Sequence, residues 1–237
     1  MDEIEVLPGV FASKDYALYL EEDGALVIAD LHLGYEGALR EQGVSLPRFQ
    51  KRHILERLAS LMDQYHPDVL VVNGDFKHEF SRNLTEEWNE VLDVLDFLER
   101  RTEVVMIRGN HDNFLKTILN RKGLDLHRSY EFGAFTIAHG HEPVEAKGAL
   151  ILGHEHPSIR LRDKIGASIS LPCFVITPDI TILPAFSPLA YGSDILRGPY
   201  LSPILDHRLM QEARFYGLDE KLGILDFGRS EDLLRES

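Results

Sequence analysis

The sequence has little cysteine and no long apolar run, and each scarcity excludes a class of protein. The single cysteine, Cys173, cannot form a disulfide within the chain, and its apolar surroundings (SLPCFVI) predict a buried strand residue rather than a reactive thiol. No apolar run is long enough to span a bilayer, and the first residues (MDEIEVLPGV) do not resemble a secretion signal. We therefore expect a cytoplasmic protein without a membrane-spanning segment.

Positive charge is also scarce. Asp and Glu number 39 against 25 Lys and Arg, which gives a formal net charge of -14 at pH 7. Proteins that bind nucleic acid through bulk charge are basic because they neutralise phosphates, so any nucleic-acid contact must be local here. Two groups of basic residues stand out, and a solvated surface is the simplest explanation for each: Arg48, Lys51, Arg52 and His53 in the first, and Arg160, Arg162 and Lys164 in the second.

Five short apolar runs end abruptly in polar residues or glycine. They are rich in Val and Ile, which predicts buried strands: ALVIAD (25–30), VLVVNGD (69–75), VVMIRGN (104–110), FTIAHG (135–140) and ALILGH (149–154). Helical spacing of apolar residues over 48–65 and 84–101 separates the first three runs. This alternation implies parallel strands, whose carboxyl ends share one edge of a sheet where α/β proteins bind ligands. We therefore expect the polar groups of all five strand ends to meet at one edge.

The groups that follow these strands are typical metal ligands. Three offer oxygen and four offer imidazole nitrogen: Asp30, His32, Asp75, Asn110, His139, His154 and His156. Seven donors are too many for one tetrahedral zinc and fit two metals that share a carboxylate. Histidine favours manganese, iron, zinc or cobalt over calcium or magnesium. We expect two divalent transition metal ions, manganese first among them, although the ligand types alone leave the choice of metal open.

Short motifs at these positions resemble a known family. DLH at 30–32, GD at 74–75, GNHD at 109–112, HG at 139–140 and GHEH at 153–156 resemble the motifs of the calcineurin-like metallophosphoesterases, and they occur in the same order. The resemblance implies an α/β fold, a four-layer αββα sandwich of two mixed β-sheets flanked by helices. It also implies how the ligands divide: Asp30, His32 and His156 on the first metal, Asn110, His139 and His154 on the second, and Asp75 between them.

One ligand of this set had a competitor. His141 lies two residues after His139, but the ligand of the family precedes a glycine, which selects His139. His141 is then expected to support the site or to have a purely structural role.

The same resemblance implies a mechanism. Two metals would activate a bridging water for direct attack on phosphorus, without a covalent intermediate. His111, next to the ligand Asn110, would stabilise the developing charge or protonate the leaving oxygen. His78 stands three residues after Asp75, as in the GD-x-x-H pattern of the SbcD-type DNA-repair nucleases, where phosphoprotein phosphatases have an aspartate. A histidine there could protonate the alkoxide that leaves in phosphodiester cleavage, and a surface histidine in a loop is the alternative.

Two further segments narrow the resemblance. DLHLGYE (30–36) and LPAFSPLAYGSDI (183–195) resemble the SbcD-related archaeal phosphoesterases and the ligase-associated endonucleases of the PdeM type. The chain lacks the long cap and coiled-coil attachment expected of full-length repair nucleases, so DNA cleavage is a hypothesis by analogy. The leading interpretation is a phosphodiesterase or nuclease that acts on nucleic acid or a nucleotide. The alternatives are a phosphomonoesterase or small-nucleotide hydrolase and, since every ligand is present, less readily a scaffold without catalysis.

The organisation of the chain is expected to be simple. No repeat, low-complexity tract or linker divides it, so residues 1–237 are expected to form one domain. Proline and glycine between 188 and 203 predict that 186–237 is an irregular extension over the rim of the site, with a short helix over 205–216 and a last strand over 222–227. The sequence predicts neither a protein partner nor an oligomeric state.

Overall fold

The structure is a computed structural model that describes residues 1–78, 85–162, 168–190 and 192–235. Seven strands of the described chain form a first sheet, in the order in which they occur: β1 (Glu3–Leu7), β2 (Val10–Ser13), β3 (Ala17–Leu20), β4 (Ala25–Ile28), β5 (Val69–Asn73), β6 (Glu103–Ile107) and β7 (Leu126–His127). The strands β1 to β4 are antiparallel, and β4 to β7 are parallel. Helices connect the parallel strands: α1 (Tyr35–Glu41), α2 (Gln50–Tyr65), α3 (Thr85–Glu99) and α4 (Leu115–Lys122).

The remaining described strands form a second mixed sheet. Its members are β8 (Ser129–Phe132), β9 (Phe135–Ala138), β10 (Ala149–Leu152), β11 (Pro157–Arg162), β12 (Ser168–Ile176), β13 (Ile180–Ile182), β14 (Ser193–Asp194), β15 (Arg214–Asp219) and β16 (Gly223–Arg229). The order along the sheet is β14-β11-β12-β13-β10-β9-β8, and the β15–β16 hairpin is attached through β12. Two short helices belong to this half: α5 (His207–Glu212) and α6 (Ser230–Arg235).

Three apolar clusters account for four layers. Side chains of α2, α3 and α4 pack on one face of the first sheet, with Leu58 and Leu95 among the buried residues. The opposite face packs on the second sheet, where Val71 of β5 and Ile151 of β10 share a cluster. The outer face of the second sheet is covered by α5 and the chain before it. Since each sheet buries both faces, its strands are short runs of apolar residues, and the predicted αββα sandwich is confirmed.

All five predicted strands are present, but the expectation of one shared sheet edge was wrong. The first three runs are β4, β5 and β6 of the first sheet, whereas the last two are β9 and β10 of the second. No helix separates β7 from β8, and β8 pairs with β9 as an antiparallel hairpin. The chain therefore leaves the parallel sheet at this point and starts another. The two sheets then bring their strand ends together by packing face to face.

The C-terminal part is more regular than the expected extension. Where the structure describes residues 183–206, the short strand β14 is the only regular element, but residues 214–229 form the β15–β16 hairpin. The helix covers 207–212 rather than 205–216 because Phe215 and Tyr216 are buried as strand residues. Cys173 is buried in β12, as predicted. Within the described ranges, no helix has both the length and the apolar character needed to cross a membrane.

Candidate metal centre

The structure brings all seven predicted ligands to one place between the sheets. Asp30, His32, Asp75 and Asn110 follow β4, β5 and β6 of the first sheet, and His139, His154 and His156 follow β9 and β10 of the second. Asn73, at the end of β5, holds these strand ends together. Its side-chain amide donates to the carbonyl oxygens of Ala138 (3.0 Å) and Ile151 (3.3 Å) in the second sheet.

Asp30, His32 and His156 form the first donor group. Nε2 of His156 lies 3.2 Å from Oδ1 of Asp30 and 3.3 Å from Nε2 of His32. Asp30 is fully buried, and its Oδ1 accepts no hydrogen bond from the described chain, whereas its Oδ2 accepts one from the backbone N–H of His154 at 3.0 Å. A buried anionic oxygen beside two imidazole nitrogens is stable only when a cation or protons compensate it.

Asp75, His139 and His154 form a second donor group, and Asn110 lies beside it. Nε2 of His139 is 3.3 Å from Oδ2 of Asp75 and 3.3 Å from Oδ1 of Asn110. Oδ2 of Asp75 is also 3.9 Å from Nε2 of His32, which belongs to the first group. Oδ1 of Asp75 accepts the backbone N–H of His111 at 2.8 Å. Its Oδ2 is therefore the atom that faces both groups.

These distances fit metal binding. Donor atoms that bind one ion at about 2.1 Å lie roughly 3.0–3.4 Å from each other, and the closest pairs in both groups have that separation. The tautomer of His139 fits as well, because its Nδ1 donates to the carbonyl oxygen of Asn73 (3.0 Å) and leaves Nε2 as a ligand atom. The residues present therefore fit divalent metal ions.

The electrostatics of the groups agree with this arrangement. Burial lowers the pKa of His32 to about 3 and that of His154 to about 4, so both rings are neutral and have a nitrogen lone pair. Burial raises the pKa of Asp75, but the neighbouring His139 outweighs it and holds that pKa well below its usual range. Burial lowers the pKa of His139, but the carboxylates of Asp75 and Asp30 outweigh this and raise it to about 9. Negative charge thus dominates around His139.

The backbone at the ligands is held in an unusual conformation. Five of the candidate ligands have a positive φ: Asp30 (60°), His32 (47°), Asp75 (45°), His154 (65°) and His156 (46°). L-residues rarely adopt this left-handed region, and it is most often kept where function requires it. The turns directly after β4 and β10 bring both members of the pairs Asp30/His32 and His154/His156 to the donor groups.

Glycines beside the ligands make the close approach possible. A Cβ atom on Gly109 would lie 2.0 Å from Oδ1 of Asp75, and one on Gly74, whose φ is 78°, would lie 2.2 Å from Nδ1 of His139. Any larger residue would displace a ligand. The glycines of the GD and GNHD motifs are therefore needed for packing.

The two predicted catalytic histidines lie at the first donor group. Nδ1 of His111 donates to the carbonyl oxygen of His78 at 2.6 Å, and a nitrogen from each of these rings lies within 4.8 Å of the other and of a nitrogen of His32. The ring of Tyr35 stacks on that of His78, with centroids 3.7 Å apart and an interplanar angle of 19°. Tyr35 was not predicted as a site residue, although it stands within the DLHLGYE segment. His141 belongs to none of the donor groups found in the described chain.

Sequence reasoning also missed two buried carboxylates that support the site. Asp112 accepts the backbone N–H of Gly109 (2.8 Å) and of Lys77 (3.3 Å), and burial together with the charge of Asp75 raises its pKa to about 6. Glu155 is fully buried between two ligands, and its carboxylate accepts hydrogen bonds from residues of the C-terminal segment. Both stand inside the recognised motifs GNHD and GHEH, so the position was visible but the contacts were not.

Gln50 is a third supporting residue that the sequence did not reveal. Its side-chain amide donates to the carbonyl oxygen of His32 (2.8 Å) and to Oγ of Ser187 (3.0 Å). The backbone N–H of Ser187 in turn donates to the carbonyl oxygen of Asp30. The chain after β13 is thus fastened to the first ligand loop.

The fold and the donor groups together define a class of protein. The chain belongs to the calcineurin-like phosphoesterase family, which it matches over residues 25–204. Its fold and family support a hydrolase that uses divalent metal ions. The family that the sequence motifs indicated is therefore confirmed.

Two solved structures illustrate how similar the chain is to individual proteins. The nuclease MPE of Pseudomonas putida is 25% identical with a TM-score of 0.69, and the alignment covers 94% of this chain and 98% of that one. The phosphoesterase Yfce of E. coli is 18% identical with a TM-score of 0.39 and coverage of 83% and 88%. No curated protein sequence matches the chain significantly.

Proposed function

We propose that the protein is a phosphodiesterase that works with two divalent metal ions, manganese first among them. The ions would be held by the seven donors, with Asp75 between them. The observation that carries this proposal is the pair of donor groups joined through Oδ2 of Asp75. When bound, the metals would lower the pKa of a water shared between them and neutralise the charge of the phosphate.

The residues of the chain supply the rest of the mechanism. His111 is fixed by two hydrogen bonds, from its backbone N–H to Asp75 and from Nδ1 to the carbonyl of His78. With Nδ1 occupied as a donor, Nε2 is the atom that can interact with a phosphate oxygen or the leaving oxygen. His78 would protonate the alkoxide as the P–O bond breaks, and the stacked ring of Tyr35 limits its orientation.

A phosphodiester of nucleic acid is the proposed substrate class. An alkoxide leaving group requires a proton donor, and His78 supplies one at the donor group formed with His32. The nuclease MPE of Pseudomonas putida, whose fold is similar over nearly its whole length, supports the same choice. The formal charge of -14 confines the contact with nucleic acid to the neighbourhood of the site.

The test compares two small substrates with manganese present. Wild type is expected to hydrolyse bis-p-nitrophenyl phosphate faster than p-nitrophenyl phosphate, because it acts on diesters. His78→Ala should lower the rate on an oligonucleotide by about 10²-fold or more, since general acid catalysis contributes that much. The loss should be smaller with bis-p-nitrophenyl phosphate, whose leaving group needs little protonation.

The control is His66→Asn, which changes a histidine at the C-terminal end of α2, where the left-handed backbone suits asparagine. A preference for the monoester would overturn the proposal in favour of a phosphomonoesterase. Equal losses on both diesters in His78→Ala would remove His78 as the proton donor.

A further inference from the structure

Two adjoining cavities lead away from the metal centre on the side of His156. The first has a volume of about 170 Å³ and is lined by His156 together with small residues, among them Ser158, Ser170 and Ser187. The second has a volume of about 330 Å³ and lies between α2, the β2–β3 turn and the β15–β16 turn. Both are lined by Tyr16, Arg57 and Glu220. We call the combined cavity the lateral groove.

Arg57 stands where the two cavities meet. Its Nη1 donates to the carbonyl oxygen of Phe186 at 2.7 Å, its Nη2 is 3.1 Å from Nε2 of His53, and its guanidinium lies 4.0 Å from the centre of the Tyr16 ring. No carboxylate oxygen of the described chain lies within ion-pair distance of it, although Arg52, on the same helix, pairs with Glu56. A guanidinium has five N–H donors and is always charged. Arg57 therefore has donors left for an anion in the groove.

The walls of the lateral groove indicate what kind of anion would enter. Near His156 the lining consists mainly of Ser, Pro, Ala and Gly residues, which neither attract nor repel charge strongly. Lys14 lines the far part, but it forms an ion pair with Asp2 at 2.8 Å. The carboxylates of Asp15, Glu56, Asp219 and Glu220 also line that part, and Glu220 lines the part near His156 as well. These acidic groups oppose a broad polyanionic surface, so a single phosphate would be favoured only close to Arg57, whose guanidinium has no carboxylate of the described chain within ion-pair distance.

We infer that the lateral groove binds the part of the substrate next to the scissile bond, and that Arg57 binds a second phosphate there. This inference rests on the proposed function, which places the scissile phosphate at the metals. It narrows the substrate class to diesters with a neighbouring phosphate, such as oligonucleotides, and distinguishes them from simple diesters. An arginine can hold a phosphate through two parallel hydrogen bonds, which suits this task.

A structural role for Arg57 is the competing explanation. Arg57 donates to the carbonyl oxygen of Phe186, and the next residue, Ser187, is hydrogen-bonded to Asp30 in the ligand loop and to Gln50. If Arg57 only holds this segment, its loss would disturb the metal centre for every substrate. If it binds a second phosphate, the loss would be confined to substrates that have one.

The experiment measures kcat/KM for a short oligothymidylate and for bis-p-nitrophenyl phosphate over a range of salt concentrations. Arg57→Gln should lower the value for the oligonucleotide by about tenfold, the loss of one charged hydrogen-bonded contact. It should also reduce the slope of log kcat/KM against log salt by about 0.7, as expected for one phosphate contact on a single strand. Arg52→Gln is the matched control, because it removes the same charge from an exposed position of α2 outside the groove.

A second variant blocks the groove without touching Arg57. Ser170 is exposed on β12 and lines the first cavity, so Ser170→Trp should fill the path between His156 and Arg57. It should lower oligonucleotide cleavage by about tenfold or more and leave bis-p-nitrophenyl phosphate unchanged.

The outcomes distinguish a failure of this inference from a failure of the proposed function. The inference is overturned if both variants cleave the oligonucleotide like wild type. It is also overturned if Arg57→Gln lowers kcat/KM equally for both substrates and lowers the melting temperature as well. If wild type hydrolyses no diester at all, the proposed function fails instead. An unchanged small-diester rate with a selective, salt-dependent loss on the oligonucleotide supports the inference.

Discussion

The first sheet brings four candidate ligands to the centre on loops that lead into helices, whereas the second brings three on loops that lead into further extended chain. The loops after β4, β5 and β6 precede α1, α3 and α4. The loops after β9 and β10 precede β10 and β11. The loops of the first sheet therefore end in helices packed on that sheet, and the loops of the second end in paired strands.

The C-terminal segment holds the ligand loops of the second sheet through hydrogen bonds. Oε1 of Glu155 accepts Oγ–H of Ser193 (2.9 Å), and its Oε2 accepts the backbone N–H groups of Leu201 (2.8 Å) and Ser202 (3.0 Å). Oγ of Ser202 donates to the carbonyl oxygen of Gly140, beside the ligand His139. The comparison teaches that distant parts of the sequence hold both sets of loops, through Gln50 and Ser187 at the first sheet and through Glu155 and Ser202 at the second. The loops of the first sheet differ in that they also lead directly into helices.

Oδ2 of Asp75 faces both donor groups, so the loss of this side chain should have the largest effect. On the proposed function, which has two ions per chain, Asp75→Ala is expected to retain fewer ions and to reduce diester hydrolysis by about 10³-fold, since the charge stabilisation at stake is several kcal/mol. Metal analysis by mass spectrometry and steady-state kinetics with added manganese would measure both. Asp63→Ala, at an exposed position of α2, is the control. Two tightly bound ions in Asp75→Ala would refute the shared role.

A change at Glu155 tests whether the ligand loops of the second sheet depend on their hydrogen bonds to the C-terminal segment. Glu155→Ala should weaken metal binding by about 10–100-fold, because supporting residues of ligands have effects of this size. It should lower the free energy of unfolding by about 3 kcal/mol, since buried N–H and O–H donors lose their acceptor. Calorimetric metal titration and urea unfolding with EDTA would measure the two effects.

The conservative variant is the control for Glu155. The amide oxygen of Glu155→Gln can still accept from Leu201 and Ser202, and its NH₂ group can donate to Ser193. It should therefore recover most of the stability. Equal behaviour of the Ala and Gln variants would show that the hydrogen bonds do not position the loop.

Gly109 tests the packing of the first half. Gly109→Ala places a Cβ atom against Oδ1 of Asp75 and should lower diester hydrolysis by roughly 10²-fold, because misplacement of a catalytic group by about 1 Å costs that much. Gly123→Ala is the matched control: its Cβ would meet nothing within 4 Å, but its φ of 70° is strained for alanine. It should cost about 1 kcal/mol of stability and leave the rate unchanged. Kinetics and thermal melting of both variants would decide, and equal rates would show that the first loop can shift.

The smallest effect is expected for Cys173, which belongs to the core of the second half and not to its ligands. Burial raises the pKa of this thiol, so it stays protonated as well as inaccessible. Native protein should not react with Ellman's reagent over the time in which urea-unfolded protein reacts fully. Rapid reaction of the native protein would mean that the second sheet opens more readily than its packing indicates.

The sequence was most informative where the signal was local. A short Val- and Ile-rich run followed by Asp30 or Asp75 predicts a strand and a ligand at once, because both properties lie within a few residues. The division into two sheets was not local, and only the family resemblance indicated it. The sequence does not predict the strands β1 to β3, and the helix that it predicts over 205–216 overlaps the start of β15.

Supporting residues were hidden for the same reason. Glu155 contacts Ser193 and Leu201, which are 38 and 46 residues away along the chain. Gln50 reaches Ser187 across 137 residues. A glutamate or glutamine with no regular spacing to its partners gives no pattern to read, so these roles required the packed structure.

The positive φ angles at the ligands have a consequence for the whole molecule. Each left-handed L-residue costs about 1 kcal/mol, somewhat less for aspartate than for others, so the five together weaken the fold by an amount comparable with much of its net stability. Metal ions that bind only the folded chain would return this free energy through mass action. The metal ions would then stabilise the fold as well as take part in catalysis. A chain that had lost its catalytic task would gain stability by replacing these very residues.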